Sequence, residues 1–270
     1  MYAKGLSRLE AQRILLHTLQ RADHDRAWLL THADETPGAQ ALERLEGLVQ
    51  RFLDGQPLAY VLGHQAFYGL DLLVDRRVLV PRPDTETLVD WALEVLSPHP
   101  CAPVVDLGTG SGAIALALKA SRSALQVHAV DYDEDALTVA RSNAQHLDLE
   151  VDFSQGSWLT GMAGQYQAIV SNPPYIADKD PHLKGLKHEP LTALASGTDG
   201  LDDIRAILDQ APARLLQGGW LLLEHGHDQA TAVRGLLQAA GFTQVQSRQD
   251  LAGIERCSGG QWPHASGVTS

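Results

Sequence analysis

From Pro103 onward the apolar positions switch between two spacings. Short, mostly apolar runs at Val104-Val105-Asp106-Leu107, Val127 to Val130, Tyr166 to Val170 and Trp220 to Leu223 read as buried strands, and Leu149 to Phe153 as a further strand. Between them, helical spacing covers 113–119, 133–146, about 201–216 and 229–240, with Gly218-Gly219 as a helix-to-strand turn. Thr243 to Ser247 and Glu255 to Ser258 close the set as an antiparallel pair. This alternation calls for an α/β fold with a mostly parallel, seven-stranded sheet and right-handed crossovers.

The first 55 residues carry helical spacing alone. Ser7 and Glu10 form a capping box that opens a helix with Leu9, Ile14, Leu15 and Leu19 on its apolar face. A short second helix holds Trp28, Leu29 and Leu30. A third spans Ala39 to Leu53, with Leu42, Leu45, Leu48, Val49 and Phe52 on one stripe and Gly55 as its stop. Residues 1–55 are therefore expected to form a small helical bundle. Residues 56–82 are expected to be a linker built as a β-hairpin around Phe67-Tyr68-Gly69-Leu70, with Val78-Leu79-Val80 adding a short strand. A helix through Leu88, Val89, Trp91, Ala92, Val95 and Leu96 then starts with Asp84 or Thr85 as N-cap and opens the α/β domain at 83–260. The small polar residues of 261–270 read as a loose tail.

Composition narrows the function. No run of about 18 apolar residues offers a membrane span. The start of the chain lacks the apolar core of a signal peptide, so a cytoplasmic location is expected. Cys101 and Cys257 have no partner spacing and read as free thiols. The scattered histidines, His225, His227, His182 and His188 among them, read as loop residues, and no metal is expected. Residues 1–60 hold seven basic and eight acidic side chains, so nearly all of the net charge of −12 lies in the rest of the chain and disfavours a broad grip on a phosphate backbone.

Two stretches carry chemistry. Ser171-Asn172-Pro173-Pro174-Tyr175 follows the strand ending at Val170. Two prolines in succession have no N–H and hold φ near about −65°, so the backbone leaves the sheet with its carbonyls free. Asn172 adds an amide oxygen and Tyr175 a flat ring, a set suited to a planar NH2 group. Asp106-Leu107-Gly108-Thr109-Gly110-Ser111-Gly112 lies between the first strand and its helix, where α/β sheets bind ligands. Asp131, ending the next strand, can accept both hydroxyls of a ribose. Gly108, Gly110 and Ala113 also satisfy the dinucleotide pattern of NAD enzymes. Asp106 argues against that rival, because an acid at the loop entrance repels a pyrophosphate and attracts a methionine ammonium.

These motifs together resemble the class I methyltransferases that act on exocyclic or amide nitrogen. More narrowly, Gly55-Gln56-Pro57-Leu58-Ala59-Tyr60, Pro81-Arg82-Pro83-Asp84-Thr85-Glu86, Asn172-Pro173-Pro174-Tyr175-Ile176, His188-Glu189-Pro190 and Gly197-Thr198-Asp199-Gly200 resemble the release factor glutamine methyltransferases, from the first helix to about Gly260. The resemblance implies a Rossmann-like methyltransferase fold and S-adenosyl-L-methionine as cofactor, with S-adenosyl-L-homocysteine as product. Its implied substrate is the glutamine of the Gly-Gly-Gln tripeptide in class 1 peptide chain release factors, methylated on N5, with the N-terminal bundle helping to hold the factor. Gly108 to Gly112 would wrap the methionine portion, Asp131 the ribose and Trp158 the neighbourhood of the adenine. Asn172 and the Pro173 carbonyl would accept the two amide hydrogens, and Tyr175 would pack on the amide plane beside Pro174. Arg82 and Glu86 are expected to pair behind the cofactor pocket. An adenine-N6 nucleic-acid methyltransferase, a ribosomal protein glutamine methyltransferase and a non-catalytic cofactor-binding adaptor are the alternatives.

Overall fold

The computed structural model describes residues 5–263. The chain divides into two compact units, Met1–His64 and Gln65–Ser270. No helix among the described residues is long and apolar enough to cross a membrane.

The first unit contains α1 (Arg8–Thr18), α2 (Arg26–Thr31), α3 (Ala39–Leu53) and α4 (Leu58–Leu62). The Ser7–Glu10 capping box is present in both directions, at 2.7 and 3.3 Å. The buried face of α1 is nevertheless Ala11, Ile14 and Thr18 with Leu16, while Leu9 is exposed. Leu9 points the same way as the buried Leu16 but lies two turns earlier, in the first turn of the helix. Ile14 packs with Leu6, Val49 and Leu62 in a core that joins α1, α3 and α4. Leu42, expected on the buried stripe of α3, is exposed. Residues 58–62, expected in the linker, instead form α4: Pro57 opens it, and Gly63 at φ 82° closes it with an N–H donated to the Ala59 carbonyl.

The hairpin pairs β1 (His64–Phe67) with β2 (Leu70–Leu73). Tyr68 and Gly69 both take positive φ, at 49° and 78°, as the tight twisted turn between two such strands requires. Val78-Leu79-Val80 is not a strand. The Val78 N–H closes a turn onto the Asp75 carbonyl, and the Val80 N–H donates to the Glu189 carboxylate, so neither is left for a ladder.

The second unit continues with α5 (Glu86–Val95), β3 (Pro103–Leu107), α6 (Ala113–Ser121), β4 (Gln126–Asp131), α7 (Glu134–Leu147), β5 (Asp152–Gln155), β6 (Tyr166–Ser171), α8 (Asp202–Gln210), β7 (Leu215–Glu224), α9 (Ala230–Ala239), β8 (Thr243–Gln249) and β9 (Glu255–Gln261). The seven-stranded sheet has the order β5-β4-β3-β6-β7-β9-β8, parallel as far as β7 and antiparallel at β9 and β8. Side chains alternate across it. Val104, Ala168, Val170 and Leu222 face α5 and α6, whereas Val105, Ile169, Leu221 and Leu223 face α8 and α9. Both faces are therefore dry, which is why these strands read as unbroken apolar runs.

Three boundaries depart from the sequence reading. The fifth strand pairs only from Asp152, because Leu149 and Val151 pack against the core as a connection after the left-handed Asp148. Gly218-Gly219 lies inside β7, at a register shift, with Gly219 so close to the Tyr166 and Leu216 carbonyls that no side chain fits. Helix α8 stops at Gln210, ahead of a tight turn containing Pro212. The expected loose tail lies outside the described residues from 264 on, and Gln261 belongs to β9.

Candidate active site

The strand order reverses between β3 and β6, and the crevice at their C-terminal ends is where an open α/β sheet takes ligands. Leaving β3, the chain passes through Gly108, Gly110 and Gly112 at φ 68°, 56° and 83°. Side chains rarely adopt that region, so the glycines let the backbone fold back on itself. Two acids fix the loop. Asp106, fully buried, accepts from the Thr109 hydroxyl at 2.6 Å and the Ala115 N–H at 3.2 Å, both on Oδ2. Its Oδ1 has no partner among the described residues. Burial pushes this carboxyl up to about 7, against the hydrogen bonds from Thr109 and Ala115. Asp131 accepts from the Gly110 N–H at 2.8 Å and the Asp133 N–H at 3.0 Å, and burial raises it as well.

Of the residues expected to hold a cofactor, Gly108, Gly110, Asp131, Trp158 and Asn172 line the principal cleft, joined by Arg77, Leu79, Tyr132 and Asp203. Asp106, Thr109, Ser111 and Gly112 do not line it. Thr109 and Ser111 are buried, and the Ser111 carbonyl accepts from Asn143, which also clasps both backbone groups of Leu73 on β2. Trp158, at φ 53°, packs its ring on Gly108.

The exit from β6 is built differently. The Ser171 hydroxyl donates to the Leu107 carbonyl at 2.7 Å, tying the two strand ends together. Asn172 Nδ2 donates to the Thr85 hydroxyl at 3.3 Å. Among the described residues no hydrogen bond reaches the Pro173 carbonyl, and Pro173 is buried and lines neither cleft. The Tyr175 carbonyl accepts from Gln229. Tyr175 lines a second cleft with Leu79, Arg82, Asn172, Ile176, Leu186, Ala193 and Leu194. Asn172, with Leu79 and Ala193, is therefore a wall common to both clefts, while Pro174 faces the first.

The expected Arg82–Glu86 pair does not form. Arg82 instead pairs with the buried Glu189, whose other oxygen holds the Val80 N–H, and Glu86 accepts from the Tyr68 N–H. Neither Asp84 nor Thr85 caps α5 through its side chain, because the chain enters that helix from a tight turn at Pro83–Thr85. Sequence reasoning missed Thr85, Tyr132 and Glu224. Glu224 had a readable signal: like Asp106 and Asp131, it is an acid at the end of an apolar parallel strand.

The strand order, the glycine turn after β3 and the acid ending β4 define a Rossmann-like methyltransferase, and the chain is an enzyme of that class. Residues 87–189 match the methyltransferase small domain and residues 3–63 the PrmC N-terminal domain. A solved methyltransferase from Pyrococcus furiosus shares the fold, with a TM-score of 0.56 over 82% of this chain and 100% of that one, at 19% identity. A release factor glutamine methyltransferase from Xylella fastidiosa (strain Temecula1 / ATCC 700964) is 47% identical, covering 96% of this chain and 94% of its own. One from Coxiella burnetii is 44% identical over 92% and 90%. The chain belongs to the release factor glutamine methyltransferase family.

Proposed function

We propose that this chain methylates the side-chain N5 of the glutamine in the Gly-Gly-Gln tripeptide of class 1 peptide chain release factors, with S-adenosyl-L-methionine as donor and S-adenosyl-L-homocysteine as product. The observation that carries the reading is Asn172 standing between two clefts, one bounded by the glycine loop and the other by Tyr175. A donor and an acceptor can thus approach the same amide from different sides.

The residues present fit the cofactor. The left-handed glycines open the backbone toward the cleft, and each Asp131 oxygen keeps a lone pair beyond the N–H it already accepts, as a ribose diol needs. The unpartnered Oδ1 of Asp106, buried behind the glycine loop and off the cleft wall, supplies negative charge on the side where a cationic amine would lie. Trp158 and Tyr132 offer flat apolar faces for an adenine. When bound, this cofactor supplies an electrophilic methyl group on a sulfonium.

The protein's task is to raise electron density on a nitrogen whose lone pair is delocalised into its carbonyl. Asn172 Oδ1, on the wall common to both clefts, accepts one N–H of the substrate amide, and the Pro173 carbonyl, which lies behind that wall and accepts no hydrogen bond among the described residues, takes the other as the substrate enters, fixing its plane and favouring the positive charge that develops on nitrogen. One of those hydrogens leaves as a proton once the new C–N bond has formed. Tyr175 packs against the amide plane, and Leu186, Ile176 and Leu194 keep water from that side. Residues 1–55, with α4 packed among them, act as a docking module for the factor, the hairpin and turn up to 82 as a linker and 83–260 as the catalytic domain, in the cytoplasm.

The test is transfer of labelled methyl from the donor to intact release factor, to a factor whose tripeptide glutamine is replaced by glutamate, to ribosomal proteins and to DNA. Label on intact factor alone, located to the glutamine by fragment mass analysis, is expected; label on DNA or on the glutamate variant overturns the reading. Deleting residues 1–54 is expected to raise KM for intact factor while leaving cofactor affinity unchanged.

A further inference from the structure

Asn172 can serve an amide substrate only in one orientation. With Oδ1 toward the clefts it accepts the substrate's N–H groups; turned over, its NH2 faces another NH2, donor against donor. What decides between the two is behind it. The only hydrogen bond described for the Asn172 side chain runs from Nδ2 to the hydroxyl of Thr85, a residue 4% exposed. Thr85 sits where a helix cap belongs, yet its side chain does not cap α5.

A threonine hydroxyl has one proton to give, so the polarity of its contact with Asn172 depends on where that proton goes. Glu224, buried at the end of β7, the strand beside β6, has the hydroxyls of both Thr85 and Tyr175 near enough to offset part of the effect of its burial, and its Oε2 has no hydrogen-bond partner among the described residues. An acid that takes the Thr85 proton leaves that oxygen with only lone pairs to show Asn172. The carboxamide must then point its NH2 inward and its Oδ1 outward. The Tyr175 hydroxyl lies near the same acid, so the ring and the amide of the β6 exit share one neighbour. Around Glu224 the charged neighbours are Asp84 from the turn before α5 and Arg256 from β9, with Arg256 itself held by Asp84 at 3.4 Å and Asp250 at 2.9 Å.

We propose that Thr85 is a positioning residue for methyl transfer: its hydroxyl, donating to Glu224 and accepting from Asn172 Nδ2, sets the Asn172 carboxamide with its oxygen toward the substrate. The inference rests on the reading that Asn172 Oδ1 accepts the substrate amide.

The experiment compares Thr85→Val, Thr85→Ser and Asn172→Ala in the full chain, with release factor as substrate. Thr85→Val keeps the shape and removes the hydroxyl. It is expected to lower kcat about tenfold or more through misorientation of one aligned group, with KM for the factor and cofactor affinity by titration calorimetry within about twofold. Thr85→Ser is expected to restore most of kcat, which a loss of packing alone does not explain. A folded Thr85→Val with kcat within about twofold of the parent overturns the inference. Should Thr85→Val not fold, the parent protein with ¹⁵N-labelled asparagine gives the answer by NMR. Contacts from the Asn172 NH2 protons to the Thr85 methyl group are expected, and contacts to Leu79 and Pro174 on the cleft side instead overturn it. Near-normal turnover by Asn172→Ala would bring down the underlying reading; a large loss there beside an active Thr85→Val brings down the Thr85 assignment alone.

Discussion

The neighbouring ends of β3 and β6 solve opposite problems with the same sheet. Beyond β3 the backbone turns through three left-handed glycines and is held by carboxylates that collect N–H groups, Asp106 from Ala115 and Asp131 from Gly110 and Asp133. Beyond β6 two prolines remove N–H groups altogether, and what is left are oxygen acceptors. Each exit has one fully buried acid behind it, Asp106 for the first and Glu224 for the second, and each acid keeps one oxygen without a partner among the described residues. The difference teaches that one end is shaped for a ligand that needs room close to the backbone, the other for a ligand that donates hydrogens. A methyl donor with a nucleoside and an acceptor with an NH2 group are such a pair.

The largest expected effect belongs to the β6 side. Asn172→Ala removes one aligned acceptor and is expected to lower turnover by roughly 10² to 10³ while cofactor affinity changes little, measured by single-turnover kinetics and calorimetry. A parallel loss of cofactor affinity would mean that the two exits do not divide the work. A smaller effect is expected on the β3 side from Gly108→Ala. The residue sits at φ 68°, and a Cβ there would stand 3.3 Å from Trp158 Cζ3. The left-handed backbone costs about 1–2 kcal/mol with a side chain, so cofactor affinity is expected to fall about tenfold with kcat at saturation nearly kept. Gly112→Ala probes the same loop from beneath. Its Cβ would meet Leu116 at 3.0 Å and Ala140 at 3.3 Å, so a lower melting temperature rather than a weaker Kd is expected.

Much of this arrangement was legible in the sequence because it rests on local rules. The apolar runs at Val104, Val127 and Tyr166 gave three strands that pair as expected, and Asp106 to Gly112 gave the turn between β3 and α6. What escaped was set by partners distant in the chain. Thr85 reads as a cap from its neighbours and is instead claimed by Asn172, 87 residues away. Arg82 reads as a partner for Glu86 and is claimed by Glu189, 107 residues away. Leu149 and Val151 look like part of a strand because they alternate with acids, yet they pack without pairing, a distinction that period alone cannot make. Among the expected cofactor residues, sequence separated the loop from its surroundings but not the glycines that face the cleft from the Thr109 and Ser111 that brace it.

The smallest effect is expected from protons, and it compares the two buried acids directly. Burial raises Asp106 to about 7, and Glu224 to about 7 against the nearby hydroxyls of Thr85 and Tyr175. Unfolded, such groups titrate near about 4, so between about pH 4 and pH 7 the native chain binds more protons and its stability falls as pH rises. Asp75 beside Arg77 and Asp250 beside Ile254 and Arg256 are lowered instead, and their contribution is lost as pH falls below the ordinary carboxylate range. Asp106→Asn and Glu224→Gln are each expected to flatten the decline in melting temperature between pH 5 and pH 7, by about a few degrees. The cofactor then separates them. An ammonium brought near Asp106 favours its ionised form, so binding near about pH 7 is expected to release part of one proton, counted by calorimetry in buffers of different ionisation enthalpy. Glu224→Gln keeps that release and Asp106→Asn abolishes it. Release that survives Asp106→Asn would leave Asp106 as a brace for the loop and nothing more.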